Sequence, residues 1–376
     1  MIQLFLRALC IFLFLAGSAH SASDKSDEDA VAQTVQAYLH GTSFNMREEI
    51  RQAFYLNSRL YLDGEGGQLR EMSGPEYAVL FPEERKARFN GRVGRLVSVD
   101  ITGTVATAKA EIQMPNRGPR YLDVFLLKKI AGAWKIVSKS AHRIDAPDQA
   151  RKVLLVVSNA DHYPGSKINT GNNFPELAYT YDAFRRAGYT VDFVSPEGGA
   201  VPLEMINTSD PLLKRHLYDS DFMWALAHTW PVASVKAGDY AGIVFSGGGA
   251  AILGIPENTA LQDIARRIYE DQGGVVAAIC QGTEGLVNLK LKDGSYLIEG
   301  KTMTSFPDAF LNQQSPIFKA YPFSMQQSIA RRGGKFTHGE NGKGHVEVDG
   351  RLVTGMNWES SSGVAQAMIR LFEQKG

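Results

Sequence analysis

The hydrophobic spacing changes character once along this chain. In the first part, Val31, Val35, Tyr38 and Leu39 recur at helical spacing. The polar run 24–29 (DKSDED) before them reads as a linker, so the first helix is expected from Ala30. A second helical stretch follows over 46–53, then a short extended run over 59–62 and a turn over 63–67. Strand-like runs cover 95–102, 105–113 and 121–128, and a last one covers 133–138 after the turn at Ala131-Gly132. Helices followed by an antiparallel meander make an α+β unit. A linker over 144–150, with Pro147, separates it from the second part. There, 152–158 (KVLLVVS) is a nearly continuous apolar run, as suits a strand buried on both faces. Strand patterns over 191–195, 240–246 and 274–279 alternate with helical patterns over 176–187 and 261–272. This alternation predicts a parallel sheet covered on both faces, with any site beyond the carboxyl ends of its strands.

Length and composition are consistent with two packed cores, since the chain has 376 residues and is 44% hydrophobic. Lys+Arg and Asp+Glu are 40 each, a balance that excludes the basic footprint of a nucleic-acid binder. The first 21 residues read as an export signal. Arg7 precedes a short apolar run over 8–16, and small residues over 17–21 allow cleavage after Ser21. The apolar run is shorter than a membrane span requires. The expectation is a periplasmic or secreted protein with no membrane anchor after cleavage. Of the two cysteines, Cys10 leaves with the signal, and Cys280 remains as a lone thiol in an oxidising compartment.

That thiol carries the candidate chemistry. Ala278-Ile279-Cys280-Gln281-Gly282 reads small-x-nucleophile-x-Gly at a strand-to-helix junction, the nucleophile-elbow pattern with cysteine in place of serine. A helix N-terminus beyond it is expected to favour a thiolate. Ser246-Gly247-Gly248-Gly249 closes the preceding strand, and backbone N–H groups there can approach a ligand. Pro175-Glu176 opens a helix, and Glu176 is either a helix-start carboxylate or a carboxyl group placed near Cys280. Metal-ligand spacing is missing, so no metal is expected.

Two resemblances follow from these stretches. The run VQAYLHGTSFNMREEIRQAFYLNSRLYLDGEGG with LKKIAGAWKIVSK resembles the nuclear transport factor 2-like cone fold, in its SnoaL-like or lumazine-binding group, over 27–143. Tyr61, His40, Trp134 and His142 are candidates to line such a cone or to fill its core, and a non-catalytic role is favoured for this part. The stretches TGNNFPELAYTYDAFRRAGY, DYAGIVFSGGGAAILG and GGVVAAICQGTEGL resemble the ThiJ/PfpI superfamily, in its glyoxalase III-type branch, over 151–374. The implied architecture is an α+β cone followed by an α/β parallel-sheet sandwich of the class I glutamine amidotransferase-like, flavodoxin-like type.

The second resemblance implies Cys280 as nucleophile, Glu176 as its protonated or hydrogen-bonding partner, and the backbone of Gly248 and Gln281 as an oxyanion site. It implies a cofactor-independent reaction on a small carbonyl compound, methylglyoxal to lactate, and a homodimer. Three positions depart from the branch. Gln281 stands where a histidine usually follows the cysteine, Gly249 where one often follows the paired glycines, and Tyr179-Thr180 where a His-Pro pair is common. A base for the thiol must then come from elsewhere, with His345 the main candidate and His162, His228 and His338 behind it, or from Glu176 alone. Two other functions stay open. One is a non-catalytic stress, chaperone or redox-sensing protein using Cys280. The other is a hydrolase or hydratase of a small amide- or nitrile-like substrate.

Overall fold

The computed structural model describes residues 16–114, 120–144 and 152–374. The chain divides near residue 148 into two compact units.

Among the described residues, the first unit is a six-stranded sheet with three α-helices. Its order is Leu69–Met72, Phe54–Asp63, Ala133–Ile144, Arg120–Ile130, Val105–Gln113, Val93–Thr102. Neighbours are antiparallel except Phe54–Asp63 and Ala133–Ile144, which run parallel. The first helix spans Ala16–Phe44. The expected linker over 24–29 is therefore helical. Polar composition there does not break the helix, because neither glycine nor proline interrupts the chain from Ser18 to Leu39. Asp27 also ties this turn to the sheet, accepting from Lys129 Nζ at 2.6 Å and Trp134 Nε1 at 3.1 Å. The expected signal segment falls largely outside the described residues.

Val31, Val35, Tyr38 and Leu39, the residues that set the helical period, are buried against the sheet. Trp134 belongs to this core, whereas His40 is half exposed and meets Glu49 at 2.5 Å. Among the apolar residues sits a charge cluster. Asp123 Oδ2 accepts from Tyr38 Oη at 2.7 Å and lies 3.0 Å from Lys139 Nζ, with both side chains 2% exposed. Arg92 completes it, 3.1 Å from Tyr38 Oη.

The second unit is built on a seven-stranded sheet in the order Trp230–Pro231, Thr190–Ser195, Lys152–Val156, Tyr240–Phe245, Val275–Ile279, Leu352–Gly355, Val346–Asp349. All pairs are parallel except the last. The strands are apolar on both sides because both faces are covered. Val153 and Leu155 point to the helices Phe174–Arg186 and Ser361–Glu373, packing with Leu177, Phe184, Val364 and Met368. Leu154 and Val156 point to the helix Thr259–Glu270, packing with Leu261, Ile264 and Ile268. The central strands end side by side at Val156, Phe245 and Ile279, which is where the glycine run and Cys280 begin.

The buried ion pair of the first unit generates a stability prediction. Asp123→Ala leaves Lys139 buried without its counter-charge and is expected to destabilise that unit by about 3–5 kcal/mol. Asp123→Ala with Lys139→Met removes both charges and is expected to recover most of the loss, read from denaturant midpoints of the four-member cycle.

Candidate active site

The site is assembled by chain segments that must approach each other closely. Cys280 follows the last residue of a central strand and has φ of +54°, a left-handed conformation that L side chains rarely adopt. Such a residue costs on the order of 1 kcal/mol and persists only where its surroundings hold it. Two hydroxyls do so here. The carbonyl of Cys280 accepts from Thr283 Oγ1 at 2.8 Å and Ser305 Oγ at 3.0 Å, and those hydroxyls lie 2.6 Å apart. The chain then enters a 3₁₀ turn, Cys280–Thr283, and a short helix, Glu284–Val287.

Glu176 lies at the start of the helix Phe174–Arg186, whose N-cap Asn173 accepts from the Glu176 N–H at 3.3 Å. Its side chain turns inward and is 0% exposed. Oε2 accepts the Gly247 N–H at 2.7 Å. The carboxyl also interacts with the thiol of Cys280. Gly247 is wedged between the two acids: a Cβ there would stand 2.9 Å from Glu176 Oε2 and 3.0 Å from Cys280 Cβ. Gly248 has φ of +99°, and a Cβ on it would fall 2.5 Å from both Asn173 N and Gly171 O. Glycine at these two positions is thus a requirement of close approach rather than a loose turn.

The electrostatics follow from burial. Burial raises Glu176 to about 8, against the bond from Gly247 and the interaction with Cys280, which favour the carboxylate; Glu204 and Glu359 push it further up. Near neutral pH Glu176 therefore holds its proton. Burial also pushes the Cys280 thiol well up, with the charge of Glu176 next and the Gln281 N–H acting the other way. The expected thiolate-favouring dipole is thus outweighed, because a 3₁₀ turn and one helical turn supply a single facing N–H while burial removes the solvation of the sulfur. Glu204 is a third acid of the group. Its Oε1 accepts from Gly249 N at 2.8 Å, and burial raises its pKa.

The structure thus brings together Cys280, Glu176, the Gly248 turn and Gln281, whose backbone N–H faces the sulfur. His345 stands at the same edge of the sheet two strands away, since Ile279 pairs with Gly355 and Gly355 with Val346, and its ring bonds to Glu347 Oε1 at 2.9 Å and lies 3.3 Å from Thr337 Oγ1. His162, His228 and His338 pair with Asp161, the Trp224 carbonyl and the Gly339 carbonyl. Sequence reasoning missed Glu204, Tyr163 and Tyr321. Gln281 Nε2 donates to Tyr321 Oη, and Tyr321 stacks on Tyr163. These three residues sit outside any motif, so no local pattern announces them. Among the described residues no group of three or more His, Cys, Asp or Glu is placed to hold a metal.

The model of the DJ-1/PfpI family matches residues 171–371, more than half of the chain. The chain belongs to the DJ-1/PfpI family. Relatives of this DJ-1/PfpI domain include glutathione-independent glyoxalase HSP31 of Saccharomyces cerevisiae, 34% identical over 58% of this chain and 97% of that protein. Glyoxalase 3 of Candida albicans is 30% identical over 59% of this chain and 98% of its own length. The crystal structure of glyoxalase III from Candida albicans superposes with a TM-score of 0.54 at 28% identity, covering 60% of this chain and 98% of that one. The first unit matches the lumazine-binding family model over residues 26–142. The fusion of a nuclear transport factor 2-like domain to a DJ-1/PfpI domain is therefore as expected, with the flavodoxin-like sheet in the second unit.

The DJ-1/PfpI site has a consequence for stability. A free glutamate ionises near 4.5, and Glu176 in the fold near 8. Between those values the unfolded chain releases a proton that the folded chain keeps. Its stabilising contribution is therefore complete below pH 4.5 and is lost as pH rises towards 8. Glu284, one turn past Cys280, is raised by burial to about 9 and adds to the same slope. Glu176→Gln is expected to remove the Glu176 share. Its stability relative to wild type should rise between pH 5 and pH 8 by on the order of 2 kcal/mol or more, read from urea midpoints of the second unit.

Proposed function

We propose that the DJ-1/PfpI domain is a cofactor-independent glyoxalase that converts methylglyoxal to lactate through Cys280. The observation that carries this reading is the buried Cys280–Glu176 pair beside the Gly247-Gly248 turn. The resemblance, over nearly their full length, to proteins named glutathione-independent glyoxalases supports it.

The thiol gives its proton to water as the sulfur attacks the aldehyde carbon and forms the S–C bond. Glu176 gives its proton to the aldehyde oxygen, and the backbone N–H groups of Gly248 and Gln281 stabilise the developing oxyanion. The product is a hemithioacetal, and Glu176 is now a carboxylate. It takes the hydrogen from the former aldehyde carbon and returns it to the neighbouring ketone carbon, while the hydroxyl proton passes between the two oxygens. One carbon is oxidised and its neighbour reduced, so no external oxidant or reductant is needed. Water hydrolyses the resulting thioester to lactic acid and the thiol, and the lactic acid proton passes to Glu176, which restores both groups. A carboxyl that titrates near 8 suits this shuttling, since it can give and recover a proton close to neutral pH. Histidine is not required, because Glu176 occupies both roles.

The test is lactate release from methylglyoxal by wild type, Cys280→Ser and Glu176→Gln. Wild type is expected to turn over, and each variant to lose at least about 10³-fold in kcat/KM. Turnover that survives in Cys280→Ser sinks the cysteine mechanism, and no lactate from wild type sinks the glyoxalase reading. Export is proposed with it, from the apolar run over 8–16 and the small residues after it. The mass of the protein recovered from its native source should then correspond to a chain beginning at Ala22, and an intact Met1 terminus contradicts export by cleavage.

A further inference from the structure

The chain lacks histidine at two positions where its resemblance expects one, after Cys280 and after Gly248, and a single tyrosine pair occupies both neighbourhoods. At the first, the Gln281 amide turns to Tyr321, donating from Nε2 to the phenol oxygen. At the second, a Cβ on Gly249 would fall 2.1 Å from Tyr163 Oη and 2.4 Å from Thr170 Oγ1. No side chain fits at position 249 while Tyr163 stands there. The two rings stack with centroids 5.8 Å apart, and their hydroxyls interact. Tyr163 is 3% exposed and is the buried member of the pair. Tyr321 is half-buried, arrives just past the short helix Pro316–Lys319, and lies within electrostatic reach of Cys280.

The chemistry of this arrangement is that of a donor. Burial, and then the charge of Tyr163, suppress ionisation of Tyr321, so the phenol keeps its proton and cannot serve as a base. Its oxygen accepts from Gln281 Nε2 and faces the Tyr163 hydroxyl; with Tyr163 donating to it, both acceptor positions of the Tyr321 oxygen are filled and its own O–H proton is left for a ligand. A monoaldehyde bound to the sulfur offers one oxygen, which the backbone N–H groups take. A compound with two adjacent carbonyls offers a second.

We propose that Tyr321 is the specificity-determining residue of this site, its hydroxyl donating to the ketone oxygen of a 1,2-dicarbonyl whose aldehyde carbon is bound to Cys280. The proposal rests on the reading that Cys280 takes carbonyl compounds. Tyr321 makes and breaks no covalent bond. Gln281 and Tyr163 are positioning residues that act through it.

The test reads binding without turnover. Methylglyoxal and propionaldehyde each add reversibly to a thiol, so each protects Cys280 from iodoacetamide, and the Cys280 peptide of the full chain can be followed by mass spectrometry. Tyr321→Phe keeps the ring and removes the donor. Protection by methylglyoxal is expected to need about tenfold more compound in Tyr321→Phe than in wild type, as befits one hydrogen bond. Protection by propionaldehyde is expected to be unchanged. If Tyr321→Phe fails to fold, Gln281→Leu removes the anchor and is expected to give the same selective loss. Equal effects on both compounds, or none on either, overturn the proposal. Lactate release by wild type is measured alongside. Selective protection without lactate overturns the glyoxalase reading alone, and lactate with unaltered protection in Tyr321→Phe overturns only the role of Tyr321.

Discussion

Two acids buried side by side cannot both ionise, and the second unit is arranged around that constraint. Glu176 is wholly buried, and Cys280 nearly so, at the carboxyl edge of a sheet whose central strands are apolar on both faces. Burial taxes the charged form of each, and each charge taxes the other. Both groups keep their protons near neutral pH, Glu176 because it is wholly buried and faces two further carboxylates, and the Cys280 thiol because burial and the Glu176 charge oppose its ionisation. A neutral carboxyl beside sulfur is a donor, and with the Gln281 N–H it offers two hydrogen bonds to a developing thiolate.

The backbone is built to hold the pair together. The thiol leaves its strand in a left-handed conformation, and the hydroxyls of Thr283 and Ser305 on one carbonyl oppose its relaxation. Gly247 admits both acids where any Cβ would separate them, and its N–H binds Glu176. Asn172 spans the neighbouring loops, accepting from Ser158 N at 2.8 Å and donating to the carbonyls of Ser158 and Pro202. Strain, close approach and burial of charge are local costs, and the large double-sided core of the sheet tolerates them.

Much of this was legible in the sequence. The apolar run beginning at Lys152, the small residues around Cys280 and the glycine run each impose a geometry that their residue types state directly. Pro175-Glu176 announced a helix start, though not which way the carboxyl turns, since that depends on where Gly247 lies. The error at residues 24–29 came from reading polarity as a break, when only glycine or proline would have made one. His345 was expected near the thiol from its place in the matched segment, and the strand it precedes, Val346–Asp349, lies two strands from the one that Cys280 follows. Tyr163, Glu204 and Tyr321 were invisible because they reach the site from separate loops, and only the close approach of those loops gives them a role.

The pH dependence of Cys280 alkylation, in wild type and in Glu176→Gln, tests the coupling of the two acids most directly. The account predicts a rate in wild type that is still rising above pH 9, since burial and the Glu176 carboxylate both hold the proton on sulfur. In Glu176→Gln the carboxylate is gone, and the midpoint should move to lower pH by about one unit or more. A midpoint that does not move, or that rises, would contradict the account, because the carboxyl would then be either uncoupled from the thiol or a support for its ionised form.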